Sequence, residues 1–138
     1  MTVALADEGT GWLAYEITGV ASTANAGQGS IANPYGCTVN ILRSYIVPSV
    51  ESTGSAALTV GITTAAAAAS DVFNSLDMNG VTVDRPINGF VNDPGAVTIT
   101  VPAAWTSALF LTFTAAATMV GFVGTIYLEV LRTTVANA

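Results

Sequence analysis

The sequence predicts an all-β fold, an antiparallel β-sandwich with at most one short helix, near residues 70–77. Three observations carry that prediction. Runs of β-branched and aromatic residues alternate in two-residue steps. Clusters of Gly, Pro, Asn and Ser separate these runs at short intervals. Almost no segment has the three-to-four-residue period of an amphipathic helix. Six to eight short strands joined by turns read as a sandwich of jelly-roll-like type. A chain of 138 residues is one domain rather than two.

Taken in order, residues 1–20 read as an N-terminal arm ending in a possible first strand. In that strand Trp12, Ala14, Glu16 and Thr18 share one side, and Leu13, Tyr15 and Ile17 the other. Residues 21–36 turn to Ala, Ser, Asn, Gly and Gln, the composition of a loop or linker. The loop closes on Asn33-Pro34-Tyr35-Gly36, a turn in which Pro fixes φ and Gly supplies a positive one. The sandwich itself is expected over 37–132, followed by a tail at 133–138.

Thr38 to Val47 reads as a strand ended by Pro48, with Val39, Ile41, Arg43, Tyr45 and Val47 on one face and Leu42 and Ile46 on the other. Ser52-Thr53-Gly54-Ser55 reads as a turn into a partner strand, Ala56 to Thr63, whose Leu58, Val60 and Ile62 face the core. The alanine tract Ala65–Ala69 has high helix propensity. With Ser70 or Asp71 as cap, Val72, Phe73 and Leu76 suit one or two helical turns. Asp77 to Gly95 reads as loop with a short strand at Gly80–Val83, and Val97–Val101 as a strand closed by Pro102.

The last third is the most apolar part of the chain. No charge interrupts Val97 to Leu128. A membrane span needs roughly 20 predominantly apolar residues, but threonines and glycines break this run and no cationic flank marks it. Alternation decides for β. Leu109, Leu111 and Phe113 oppose Phe110, Thr112 and Thr114; Phe122, Gly124, Ile126, Leu128 and Val130 oppose Val123, Thr125, Tyr127, Glu129 and Leu131. The two segments read as a hairpin, apolar on both faces, in mid-sandwich or against another copy.

Composition narrows function by exclusion. Only 9% of residues are charged, against 51% hydrophobic, and the net charge is −6. About 25% charge is usual, so much of this surface is expected to lie against protein. Three arginines, Arg43, Arg85 and Arg132, and no lysine cannot neutralise a nucleic-acid backbone. Without histidine there is no Ser-His-Asp triad and no imidazole metal site; without lysine, no Schiff base and no phosphate-binding P-loop. Cys37 stands alone, so neither a disulfide within the chain nor a thiolate cage forms. Asp71, Asp77, Asp84 and Asp93 read as solvated loop carboxylates, and Asp77-Met78-Asn79-Gly80 lacks the further ligands of a calcium loop. No cofactor is expected, and no enzymatic role. Asp84-Arg85 reads as a local ion pair or a bare exposed turn. Trp12, Trp105, Tyr35 and Tyr45 read as core or interface anchors ahead of sugar platforms.

Several segments together resemble a known family. These are the Asn33–Gly36 turn, the run Ser-Thr-Gly-Ser-Ala-Ala-Leu-Thr-Val-Gly-Ile from Ser52 to Ile62, the Ser70–Asp77 segment, and the closing strand Gly121 to Val130. Over residues 30–132 the layout resembles the small β-sandwich decoration, or cement, proteins of tailed-bacteriophage capsids. That resemblance implies a jelly-roll-like sandwich, a homotrimer, and a place on the outer surface of the virion clamping neighbouring major capsid subunits. It would be made in the host cytoplasm without a signal peptide, with no nucleic-acid or membrane partner. The partner-contact residues it suggests are Trp12, Tyr15, Pro34, Tyr35 and Arg43. Two alternatives stand beside it: another virion component such as a tail, fibre or shell jelly roll, and a jelly-roll carbohydrate-binding module.

Overall fold

The computed structural model describes residues 10–21, 28–88 and 103–132. Nine strands occur among them: β1 (Thr10–Thr18), β2 (Ile31–Ala32), β3 (Val39–Val50), β4 (Ala57–Thr63), β5 (Phe73–Asp77), β6 (Ile87–Asn88), β7 (Ala103–Trp105), β8 (Phe110–Ala115) and β9 (Val123–Arg132). One sheet has the order β1-β9-β3-β6, with β7 also pairing with β3; the other has the order β2-β8-β4-β5. Every pairing is antiparallel.

The order is nested. β1 pairs with β9, β2 with β8, β3 with β6, and β4 with β5. A long two-stranded ribbon folded over on itself gives this arrangement, so the expected jelly-roll-like sandwich is the fold, with β7 as an added segment beside β3. The first strand of the expected arm belongs to the sandwich, since all of β1 lies against β9. Residues 1–9, the arm proper, and the strand expected at 97–101 lie outside the described residues.

The core fills the space between the sheets. Ile17, Val39, Ile41 and Ile46 meet Leu58, Val60, Phe73, Leu111 and Phe113, while Ile126, Leu128 and Val130 come from β9. The alternation read for β4, β8 and β9 is the one the structure shows. Gly124 leaves room for the Phe122 ring: an added Cβ would lie 2.8 Å from Phe122 Cζ.

Five local expectations are corrected. The terminal segments are not a hairpin, because β8 and β9 lie in different sheets. Nor do β3 and β4 pair; the link between them is an arch, tied by Ser52 N–H to Met78 O (2.9 Å) and Thr53 N–H to Val120 O (3.0 Å). Both errors share a cause. Two amphipathic strands joined by a short link bury the same residues whether they pair side by side or face each other across a core. Next, residues 70–77 hold the strand β5 at Phe73–Asp77 and no helix. Val72 N–H donates to Val60 O, and the Asp71 carboxylate accepts from Ile62 N–H instead of capping a helix. A register shift against β4, with Ser75 at a φ of 56°, spaces Phe73 and Leu76 like a helical pair. Pro48 does not end β3, which continues to Val50. Its missing donor lies on the side away from β9, where its carbonyl accepts Asp84 N–H at 2.7 Å. Lastly, the loop read at 77–95 holds β6 at Ile87–Asn88, while 80–83 is not a strand.

Candidate functional site

The outer face of the β1-β9-β3 sheet carries an aromatic and ionic patch. Register builds it. Trp12 lies opposite Glu129, and Glu129 opposite Arg43; in the next row Ala14, Tyr127 and Tyr45 are aligned. Side chains on one sheet face recur every second residue, so these six share a surface. Ala14 is small enough for the Trp12 indole to lean across β9. Its ring stacks on Tyr45 with centroids 6.1 Å apart and 28° between planes, and the Arg43 guanidinium sits 5.5 Å from the indole centroid. Glu129 Oε2 accepts from Arg43 Nε at 3.1 Å and also from Nη2. This pairing, by hydrogen bond first and charge second, raises the Arg43 pKa further.

The patch presents two aromatic rings and a guanidinium to its surroundings, with the Arg43 side chain 58% exposed. Trp12 is 51% exposed and Tyr127 37%. The Glu129 side chain is only 12% exposed, screened by the groups above it. Aromatic rings beside an arginine paired within the chain have the composition found at interface centres.

A bulge puts Arg43 there. β3 shifts register against β9 between Ile41 and Arg43. Val39 and Ile41 point inward before the shift, and Ser44, Ile46 and Pro48 after it, so Arg43, Tyr45 and Val47 turn outward. The face read from alternation, with Val39 and Ile41 beside Arg43, is therefore corrected. Arg43, one of the suggested partner contacts, pairs with the chain's own Glu129.

The other suggested contact residues gather elsewhere. Tyr15 points to the opposite side of β1 from Trp12 and is half-buried near Tyr35; burial first, and Tyr35 second, raise its phenol pKa. The Arg132 guanidinium sits 5.6 Å from the Tyr35 ring centroid. Asn33 shapes this turn: its Nδ2 donates to Cys37 O (2.9 Å) and Trp105 O (2.7 Å), and its Oδ1 accepts Tyr35 N–H (2.7 Å). Pro34 is exposed at the tip. The structure thus joins Trp12 to Arg43 and Tyr15 to Tyr35, and does not bring all five together. Trp105 is fully buried.

The acidic loop residues hold main-chain groups. Asp77 accepts from Ser55 Oγ, Ala56 N–H and Asn79 N–H; Glu51 accepts from Gly80 N–H. Asp84 and Arg85 are both exposed and not ion-paired to each other. Among the described residues no three His, Cys, Asp or Glu side chains converge as metal ligands. Comparison with protein-family models, curated proteins and solved structures gives no match.

Proposed function

We propose that this chain is a non-enzymatic virion structural protein of the tailed-phage decoration type, seated on the outside of the capsid and clamping neighbouring major capsid subunits. The observation that carries this reading is the Trp12, Tyr45 and Tyr127 patch around the Arg43–Glu129 pair. It has the composition of an interface centre, and it gathers Trp12 and Tyr127, two of the exposed large hydrophobic side chains among the described residues. Repetition on a shell multiplies modest contacts into firm attachment.

The test is co-sedimentation of the purified protein with expanded shells of the virus that encodes it. Trp12→Ala should weaken attachment by a factor of about 30 or more, as truncation of a central Trp does, while the melting curve stays near wild type. Undiminished attachment of that variant, or none by the wild type, sinks the reading. The exposed rings on an open sheet face also favour a second reading, a carbohydrate-binding module that stacks pyranose rings. Saturable binding on a glycan array, lost in Trp12→Ala, would put it first.

A further inference from the structure

The edge of β1 has a closed part and an open part. Gln28 closes one end: its Oε1 accepts Thr18 N–H at 2.7 Å, and its Nε2 donates to Glu16 O at 3.0 Å. A side-chain amide bridging residues two apart stands in for a neighbouring strand. It also fixes the parity of the edge. Main-chain groups of alternate residues point to alternate sides of a strand, so the even-numbered residues of β1 turn away from β9. Among the described residues no strand pairs with the outer edge of β1 at Thr10, Trp12 and Ala14. That stretch holds no proline and no charged residue before Glu16, and so lacks the features that usually blunt an edge.

We infer that this open edge is a self-association site, where β1 of a second copy pairs antiparallel about a two-fold axis at Leu13. Leu13 is the midpoint of the stretch that begins at Thr10 and ends where Gln28 holds Glu16 O. In this register Trp12 and Ala14 of each copy exchange main-chain hydrogen bonds with Ala14 and Trp12 of the other. Size is complementary on both faces. On the outer face Trp12 lies beside the small Ala14 of the second copy. On the inner face Tyr15 lies beside Gly11, where the Tyr35 hydroxyl is 4.0 Å from the place a Cβ would take. Neighbouring registers fit worse: centring on Trp12 sets indole against indole, and centring on Ala14 needs groups that Gln28 occupies. The pairing makes one continuous sheet across the dimer and doubles the aromatic patch. A single self-complementary edge closes at two copies, in contrast to the trimer that the family resemblance implies.

The experiment is the mass of the full chain in solution by sedimentation or light scattering over a broad dilution series. A two-chain mass that dissociates on dilution is expected. Ala14→Pro removes an edge-facing donor and no hydrogen bond to β9, and Ala14→Lys places a charge on the exposed face; both should be monomers that remain folded by circular dichroism. A wild type that stays monomeric throughout, a three-chain mass, or a dimer indifferent to both folded variants would overturn the inference. Shell attachment is a separate readout, so a dimer with no affinity for shells would refute the virion reading and leave this one standing.

Discussion

Gly61 lies in β4 beneath the connection from β4 to β5, and replacing it with alanine should be among the most damaging small changes available. The connection runs over the outer face of the sheet. It is held there by Val72 N–H to Val60 O (3.0 Å) and by the Asp71 carboxylate on Ile62 N–H (3.1 Å). A Cβ on Gly61 would overlap the Ala69 main chain and lie 2.6 Å from the Ala69 Cβ. The main chain cannot rotate away as a side-chain end can, so the whole tract must lift. Overpacking of this kind costs about 1–3 kcal/mol, and losing one or two of the pinning hydrogen bonds adds about 1 kcal/mol each. The sum for Gly61→Ala is therefore about 2–5 kcal/mol, read as a lower midpoint in urea at an unchanged slope. Ala69→Gly supplies the control. It removes one of the overlapping atoms but leaves the carbonyl and its carbon, so the double variant should recover only a minor part of the loss. Gly61→Ala within about 0.5 kcal/mol of wild type, the usual range for an uncrowded surface change, would show that the tract does not rest on β4.

Asn33→Ala removes three hydrogen bonds that lock the Tyr35 turn to Trp105; at about 1 kcal/mol each and partial solvent access, a loss of about 2 kcal/mol is expected in chemical unfolding. The Ser44 hydroxyl is buried without a hydrogen-bond partner, so Ser44→Ala should be neutral or stabilise by up to about 1 kcal/mol, measured the same way. Asp77 is held below its ordinary value of 3.8, chiefly by Asn79 N–H and then by Ser55 and Ala56. Its folded pKa is thus the lower one. The stabilisation is full above the unfolded value and fades as pH falls through it towards the folded value. Melting temperatures below pH 5 should therefore drop more steeply for wild type than for Asp77→Asn, by a margin kept small by solvent screening.

Faces were more legible in the sequence than partners. Phe122 to Val130 alternates so regularly that its buried and outward rows could be read from residue types alone, and the structure keeps them. What failed was the step from amphipathic strands to their neighbours. Only β4 and β5 are both consecutive and paired among the described strands, so sequence proximity misleads at nearly every link. A short turn of Ser, Thr and Gly signals a reversal of direction but does not say whether the returning strand lies in the same sheet or the facing one. The false helix at 70–77 has a different origin: one residue out of register converts a two-residue period into a three-residue one.

The outer-face patch shows why such a site escapes linear reading. Trp12, Arg43 and Glu129 come from strands that become neighbours only when the ribbon closes, first strand against last and third against last. Each residue alone has an ordinary explanation, as an aromatic on an edge, an arginine in a strand, or a glutamate on a solvent face. Together they form an ion pair whose carboxylate is largely covered and whose exposed guanidinium lies against the indole ring. The β3 bulge decides the matter, because without it Arg43 would share the inward row of Val39 and Ile41 and its charge would enter the core. Burying an unpaired guanidinium is prohibitive, so the bulge and the Glu129 pairing solve one problem jointly. The arginine is compatible with this fold only on the outer face, and there its charge is spent on Glu129 instead of on a partner. Under the proposed reading, the area this surface offers a partner comes from Trp12, Tyr127 and the Arg43 side chain, with the Arg43 charge already paired to Glu129.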